Sequence, residues 1–241
     1  MSLDAIAVVI PARNEERLLP AALNAVAIAA LHPGLEAVRV LTVVVADSCR
    51  DRTAEVAARA GAEVVRTEGR NPGAARAAGV AYALEVLGTR GTWIASTDAD
   101  SIVPAHWLGY HGARALEGWE AVVGTVELPP SELADRHALQ YEAGRPAAAP
   151  WRHPHVHGAN LGLTAGAYRH AGGFPPLDVG EDRALVGALH RLGHRVLRTD
   201  ACPVLTSDRL RARARGGFAR NLAALAGGLG EVSARPAEEK A

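Results

Sequence analysis

The sequence predicts an α/β domain built on a mostly parallel central sheet. Short β-branched runs alternate with longer Ala- and Leu-rich segments of helical period. Four of the breaks after strand candidates are polar or glycine-bearing, as expected at the ligand-binding rim of a doubly wound sheet. Nowhere do about eighteen uncharged apolar residues run together, so no membrane span is expected. The 241 residues suit one domain, and 26 Lys and Arg against 26 Asp and Glu leave no bulk charge for nucleic acid or a membrane surface to grip. Hydrophobic residues make up 49%, much of it alanine, which predicts a compact core of small side chains.

Residues 5–10 read as the first buried strand, stopped by Pro11. Asn14 is expected to cap a helix carrying Glu15 and Glu16 in its first turn, with Leu18, Leu19, Leu23 and Val26 facing inward. A second strand spans 39–46, followed by a polar loop at 47–52 and a helix over 53–60 that ends at Gly61. A short strand at 63–66, a glycine-bearing loop at 69–73 and a small-residue helix at 74–87 lead to a fourth strand at 92–96. Residues 121–127 alternate like another strand, and Pro129-Pro130 marks a break. Beyond it come a helix at 131–141, a loop at 144–154, a strand at 160–164, a turn at 172–176 and a helix from about Glu181. Two short strands at 196–198 and 204–206 precede a charged tail after about residue 230.

Asp98-Ala99-Asp100 follows the fourth strand directly and offers two hard oxygen ligands. Mg²⁺ and Mn²⁺ prefer such ligands, and substrate phosphates usually complete their shells. The competing reading is a solvated turn or a helix cap. The loops at 11–16, 47–51 and 71–76 share the same rim. Capping and turn chemistry explains each one singly, and best explains Asp51 and Thr53 at a helix start. His153, His155 and His157 alternate, so an extended segment puts them on one face where they could ligate a metal. Pro154 and Arg152 favour ordinary polar residues in a loop. Arg209, Arg211, Arg213 and Arg215 read either as a solvated helix face or as a basic segment closing over a diphosphate. Cys49 and Cys202 belong to no paired motif and Met1 to Asp4 lack a basic leader, so the expected location is cytoplasmic.

Six strings fall in order: VVIPARNEE (8–16), VVVADSCRDRTAE (43–55), NPGAARAAG (71–79), STDAD (96–100), GGFPP (172–176) and GEDRAL (180–185). The series resembles the inverting glycosyltransferases of family 2, which adopt the GT-A fold, a single Rossmann-like nucleotide-binding sandwich. The resemblance implies one catalytic domain over 1–230, with a nucleotide-binding half to about 128, an acceptor-binding half from about 129 and a flexible tail at 231–241. It implies that Pro11, Ala12, Arg13 and Glu15 lie beside base and ribose and that Asp47 meets the base. The family's usual two acids followed by Gly-Ser are here Ala46, Asp47, Ser48 and Cys49, which leaves the base open. Gly73 and its small neighbours would let backbone amides approach the nucleotide, with Arg70 or Arg76 offsetting its charge. For Arg76 a solvated helix face is the alternative.

By the same resemblance Asp98 binds ribose or a metal-bound water, and Asp100 holds Mg²⁺ or Mn²⁺ directly. Asp182 is the expected general base, with Glu181 as runner-up or as a sugar-hydroxyl contact. His157, Asn160 and Arg209 are candidates for acceptor or phosphate contact. The expected activity is metal-dependent, inverting transfer of one sugar from a nucleotide sugar to a hydroxyl of an unspecified acceptor. UDP is the default nucleotide and GDP the alternative. Neither a nucleic acid nor a membrane is an expected partner, and the oligomeric state stays open, a homodimer included. A nucleotidyltransferase and a non-catalytic nucleotide-sugar-binding module are the rival readings, whereas a dehydrogenase would need a G-x-G-x-x-G after the first strand.

Overall fold

The computed structural model describes residues 2–143, 145, 151–210 and 218–227. Among them, β1 (Ala5–Ala12), β2 (Arg39–Asp47), β3 (Glu63–Thr67), β4 (Thr92–Ser96), β5 (Ser101–Ile102), β6 (Ala121–Glu127), β7 (Leu161–Thr164) and β8 (Val196–Thr206) form one sheet. Its order is β3-β2-β1-β4-β7-β6-β8-β5. The β3-β2-β1-β4 half is parallel throughout. β7 runs antiparallel to β4 and β6, while β8 is parallel to β6 and antiparallel to β5.

Helices α1 (Leu19–Ala30), α2 (Thr53–Arg59), α3 (Pro72–Leu87), α4 (Trp107–Leu116), α5 (Glu132–Tyr141), α6 (Ala165–His170), α7 (Glu181–Arg191) and α8 (Phe218–Ala226) complete the chain order. Alternation along β1 sorts them into layers. Ile6, Val8 and Ile10 pack with Leu19, Leu23 and Val26 of α1, Ala57 of α2 and Trp107 and Leu108 of α4. Val9, on the opposite face, packs with Val80 of α3 and with Leu185 and Leu189 of α7. Gly79 brings α3 against the sheet, since a Cβ there would lie 2.6 Å from Val9 Cγ1 and 2.7 Å from Val45 Cγ2.

Three sequence expectations change. β1 does not stop at Pro11 but continues to Ala12, with Pro11 in register with Val45 of β2. Thr97 donates to the Val9 carbonyl, so odd residues of β1 turn toward β4, which ends in register with Val9. The missing Pro11 N–H therefore falls beyond the last β4 partner and costs no ladder bond.

Asn14 does not cap α1. It sits in the left-handed region at φ 54, and its Oδ1 accepts the Arg50 N–H at 2.8 Å. The helix starts at Leu19, with Pro20 in its first turn and exposed Leu18 at the cap. Finally, the two late strands are one, β8, with a register irregularity opposite Gly124 to Val126 that hid its middle. β5, α4, α6 and α8 have no counterpart in the sequence reading. The tail at 231–241, Arg211, Arg213, Arg215 and much of the loop at 144–154 lie outside the described residues.

Candidate active site

β1 pairs with β2 on one side and β4 on the other, so chain direction through the sheet splits there and leaves a crevice at the carboxyl ends. The crevice is a cleft of about 460 Å³. Pro11, Ala12, Arg13 and Glu15 reach it from the end of β1, Asp47 from β2, and Arg76 from α3. Asp98 and Asp100 enter from the end of β4, and Glu181 and Asp182 from the first turn of α7. His157 and Arg209 stand on its wall as well. Asp182 thus shares one hollow with Asp98 and Asp100, more than eighty residues earlier in the chain.

Polar bonds lace the first two loops together. Glu15 N donates to Thr53 Oγ1 at 2.8 Å and Glu16 N to Asp51 Oδ2 at 3.1 Å. Cys49 Sγ lies 3.4 Å from both Asn14 N and the Ala12 carbonyl oxygen. Ser48, which stands where the family pattern has glycine, takes the left-handed conformation at φ 53 that glycine favours. Asp47 organises the third loop: its carboxylate accepts from Arg70 N at 3.0 Å, Asn71 N at 2.8 Å and the Thr67 hydroxyl at 3.1 Å. Asn71 in turn caps α3 by accepting the Ala74 N–H.

Two guanidinium groups each bridge two carboxylates. Arg76, expected either to face phosphate or to lie on a solvated surface, is buried at 4% exposure. Its Nη2 is 2.5 Å from Asp98, its Nη1 is 3.2 Å from Glu181, and its Nε donates to Ser96 Oγ at 3.1 Å. Burial opposes its charge, but Asp98, Glu181 and Asp182 outweigh burial and hold its pKa above the ordinary arginine value. Arg209 Nη1 lies 2.5 Å from Glu15 and Nη2 lies 3.0 Å from Asp100. Burial, with the Asp98 charge beside it, pushes Asp100 up to about 6; Arg209 pulls it back only in part.

Asp182 Oδ2 accepts the Gly158 N–H at 2.8 Å and Oδ1 accepts the Arg183 N–H at 2.7 Å. These bonds fix the carboxylate and leave lone-pair capacity on both oxygens. Glu181 is more deeply buried and committed to Arg76; burial raises its pKa and Arg76 opposes the rise. Two expected residues stay off the cleft wall. Gly73 packs beneath it, where a Cβ would lie 2.1 Å from the Pro175 carbonyl oxygen. Asn160 is buried and spends its amide on the Thr125 and Cys202 carbonyls at 2.8 Å, while its Oδ1 accepts from Trp107 Nε1 at 3.0 Å.

His153, His155 and His157 do face one way, but as a column of rings. Centroids are 6.0 Å and 6.3 Å apart, and Tyr141 stacks on His155 at 3.7 Å. Their nitrogens serve separate partners: His153 faces the Val123, His155 and Thr199 carbonyls, His155 the Tyr141 carbonyl, and His157 the Tyr141 hydroxyl. Burial pushes His157 down to about 3 and lowers His153 and His155, and of the three rings His155 and His157 line this end of the cleft. Among the described residues no group of three or more His, Cys, Asp or Glu is arranged to hold a metal by itself. Asp178, Arg183 and Phe218 also line the cleft, and sequence reasoning did not single them out. Phe218 carried no signal, whereas the neighbourhood of Gly180 could have pointed to the other two.

A parallel β3-β2-β1-β4 half-sheet with an acid-walled cleft at its carboxyl ends defines a nucleotide-binding sandwich of the GT-A class. The family model "Glycosyl transferase family 2" matches residues 7–170, and the chain belongs to that family. TarS of S. aureus, solved as residues 1–349 in complex with UDP-GlcNAc, shares the fold at TM-score 0.64 and 14% identity, over 88% of this chain and 60% of its own. A mannosyltransferase from Pyrobaculum calidifontis, in complex with GDP-Man and Mn²⁺, matches at TM-score 0.63 and 22% identity over 86% and 58%. Glucosyl-3-phosphoglycerate synthase from Mycobacterium tuberculosis, in complex with Mn²⁺, UDP and glucosyl-3-phosphoglycerate, matches at 0.54 and 18% over 93% and 77%. The chain therefore spans about three fifths of the TarS and mannosyltransferase structures. No curated protein matches it. Among the described residues no helix is long and apolar enough to cross a membrane.

Proposed function

We propose that this chain is an inverting glycosyltransferase that moves one sugar from a nucleoside-diphosphate sugar to an acceptor hydroxyl with the help of a divalent cation. The observation that carries the reading is the meeting of Asp98, Asp100 and Asp182 in one cleft of a size suited to a small-molecule substrate. Residues 1–230 act as one catalytic domain, the part before about residue 128 serving the nucleotide and the rest the acceptor. Cys49 and Cys202 are both free thiols, which supports action in a reducing compartment such as the cytoplasm.

Pro11, Ala12, Arg13 and Glu15 flank the base and ribose. UDP is the donor nucleotide favoured, with GDP as the alternative. The Asp47 carboxylate accepts from the Ser48 and Thr67 hydroxyls and from the Arg70 and Asn71 amides, which holds it at the end of β2 where the resemblance puts the base. The Pyrobaculum complex with GDP-Man keeps the alternative in view.

The donor set fits Mg²⁺ or Mn²⁺: Asp98 and Asp100 would give hard oxygens but too few to enclose an ion, so phosphate and water would have to complete its shell. When bound there, a divalent cation would supply Lewis-acid stabilisation of the departing diphosphate. Asp182 takes the proton of the attacking hydroxyl, its carboxylate aimed by the Gly158 and Arg183 amides. Arg76 keeps Asp98 and Glu181 in place from behind. Attack on the face opposite the leaving group inverts the anomeric centre.

The test is product analysis with UDP- and GDP-sugars, with and without Mn²⁺, in the presence of candidate sugar and polyol acceptors. Release of nucleoside diphosphate coupled to a product of inverted configuration supports the reading. Release of pyrophosphate would favour a nucleotidyltransferase, and binding without turnover a binding module.

A further inference from the structure

We propose that Arg209 is an internal counter-ion that a divalent cation must displace from Asp100, and that the guanidinium so released then serves the donor's diphosphate. The inference rests on the metal-assisted transfer proposed above, but its observations are its own. The Arg209 fork spans two acids, with Nη1 2.5 Å from Glu15 and Nη2 3.0 Å from Asp100. Glu15 and Asp100 side chains are only 5% and 11% exposed, whereas Arg209 is 27% exposed and outermost. Two acids held this close out of water need a cation between them, and a planar fork supplies it.

A divalent ion at Asp100 would bring two charges to the Oδ2 that Nη2 now contacts, so ion and guanidinium would compete for it. Glu15 keeps its hold on Nη1 during the exchange. Ser207 Oγ accepts the Arg209 N–H at 3.2 Å, which anchors the backbone and leaves the side chain to swing. Arg76 is the contrast: it bridges Asp98 and Glu181 at only 4% exposure and also donates to Ser96, so it is buried and held on three sides where Arg209 is not. One arginine is fixed and the other is exchangeable.

Binding order follows from this balance. Metal alone costs Arg209 a carboxylate with nothing gained in return, so it binds weakly. A diphosphate restores an anionic partner to the guanidinium, so metal and nucleotide bind with positive coupling, which by linkage is reciprocal.

Mn²⁺ titration of the whole chain followed by electron paramagnetic resonance, with and without UDP, tests the proposal in the unaltered protein, Arg209→Ala and Arg209→Lys. UDP is expected to strengthen Mn²⁺ binding roughly tenfold in the unaltered protein. Arg209→Ala should bind Mn²⁺ alone about fivefold tighter and lose most of the UDP enhancement, with Arg209→Lys between the two. A merely structural role predicts the opposite, because loss of Arg209 would splay Glu15 and Asp100 and weaken the ion. Weaker or unchanged Mn²⁺ binding in Arg209→Ala overturns the proposal, and if that variant does not fold, the direction seen in Arg209→Lys decides. Failure of every form to bind Mn²⁺ or UDP would sink the transferase reading, and this inference with it.

Discussion

Arg76 lies so close over Gly158 that a Cβ on that glycine would sit 2.3 Å from its Nη2. The same glycine donates its N–H to Asp182, so the missing side chain admits the buried arginine on one side while its backbone aims the proposed base on the other. Gly158→Ala should therefore push the guanidinium off Asp98 and Glu181 and leave buried acids short of their cation. We expect a loss of about 2–4 kcal/mol, read by urea unfolding. A change within about 0.5 kcal/mol would mean that Arg76 can move aside without cost.

Asp182→Asn should leave UDP affinity nearly unchanged and reduce transfer at least about a hundredfold, the ordinary yield of a general base. Calorimetric UDP titration beside a nucleoside diphosphate release assay separates the two quantities. Equal losses in both would reassign Asp182 to donor binding.

Asp47→Ala removes the acceptor for the Arg70 and Asn71 amides and for the Thr67 hydroxyl. Leaving those donors unpaired should cost about 1–3 kcal/mol of stability and weaken UDP binding through the third loop. Thermal melting and UDP titration of the same sample check both halves.

Asp100 gives a pH signature. Its carboxyl is raised in the fold from 3.8 to about 6, so the folded chain holds the proton more firmly than the unfolded chain between those values. Its contribution is thus most favourable below the unfolded value and is lost as pH rises through about 6. At neutral pH the ionised group costs on the order of 3 kcal/mol, which Asp100→Asn should return, raising the melting temperature while removing metal-linked donor binding. The stability gain should vanish below about pH 4. An Asn variant no more stable at neutral pH than the unaltered protein would contradict this account of the acid cluster.

Much of the frame was legible because local pattern and tertiary role agree. β4 and β6 match the sequence reading residue for residue, since Trp93-Ile94-Ala95 and Val122-Val123 are buried and bounded by turn residues. Pro11 misled because its effect depends on which neighbour its missing N–H would face, and that is a property of the sheet. The residues of the cleft were legible as an ordered set of loops, but their pairing was not. Nothing in the local sequence of Arg76 or Glu181 tells that they meet at 3.2 Å, and Arg209 gave equal support to a solvated face and a phosphate contact. The alternating histidines did share a face, yet stacking on Tyr141 and bonds to carbonyls turned them into a column of rings.

The central claim is that the acids of the cleft bind an activated sugar through a divalent ion. A thermal-shift panel of UDP- and GDP-sugars, with and without Mn²⁺, measures it most directly. The account predicts that one donor stabilises the chain only when Mn²⁺ is present, by about 2.7 kcal/mol at a hundred times its dissociation constant, and that Asp100→Ala abolishes the dependence on the ion. No shift with any donor, or the same Mn²⁺-dependent shift in Asp100→Ala, would contradict it.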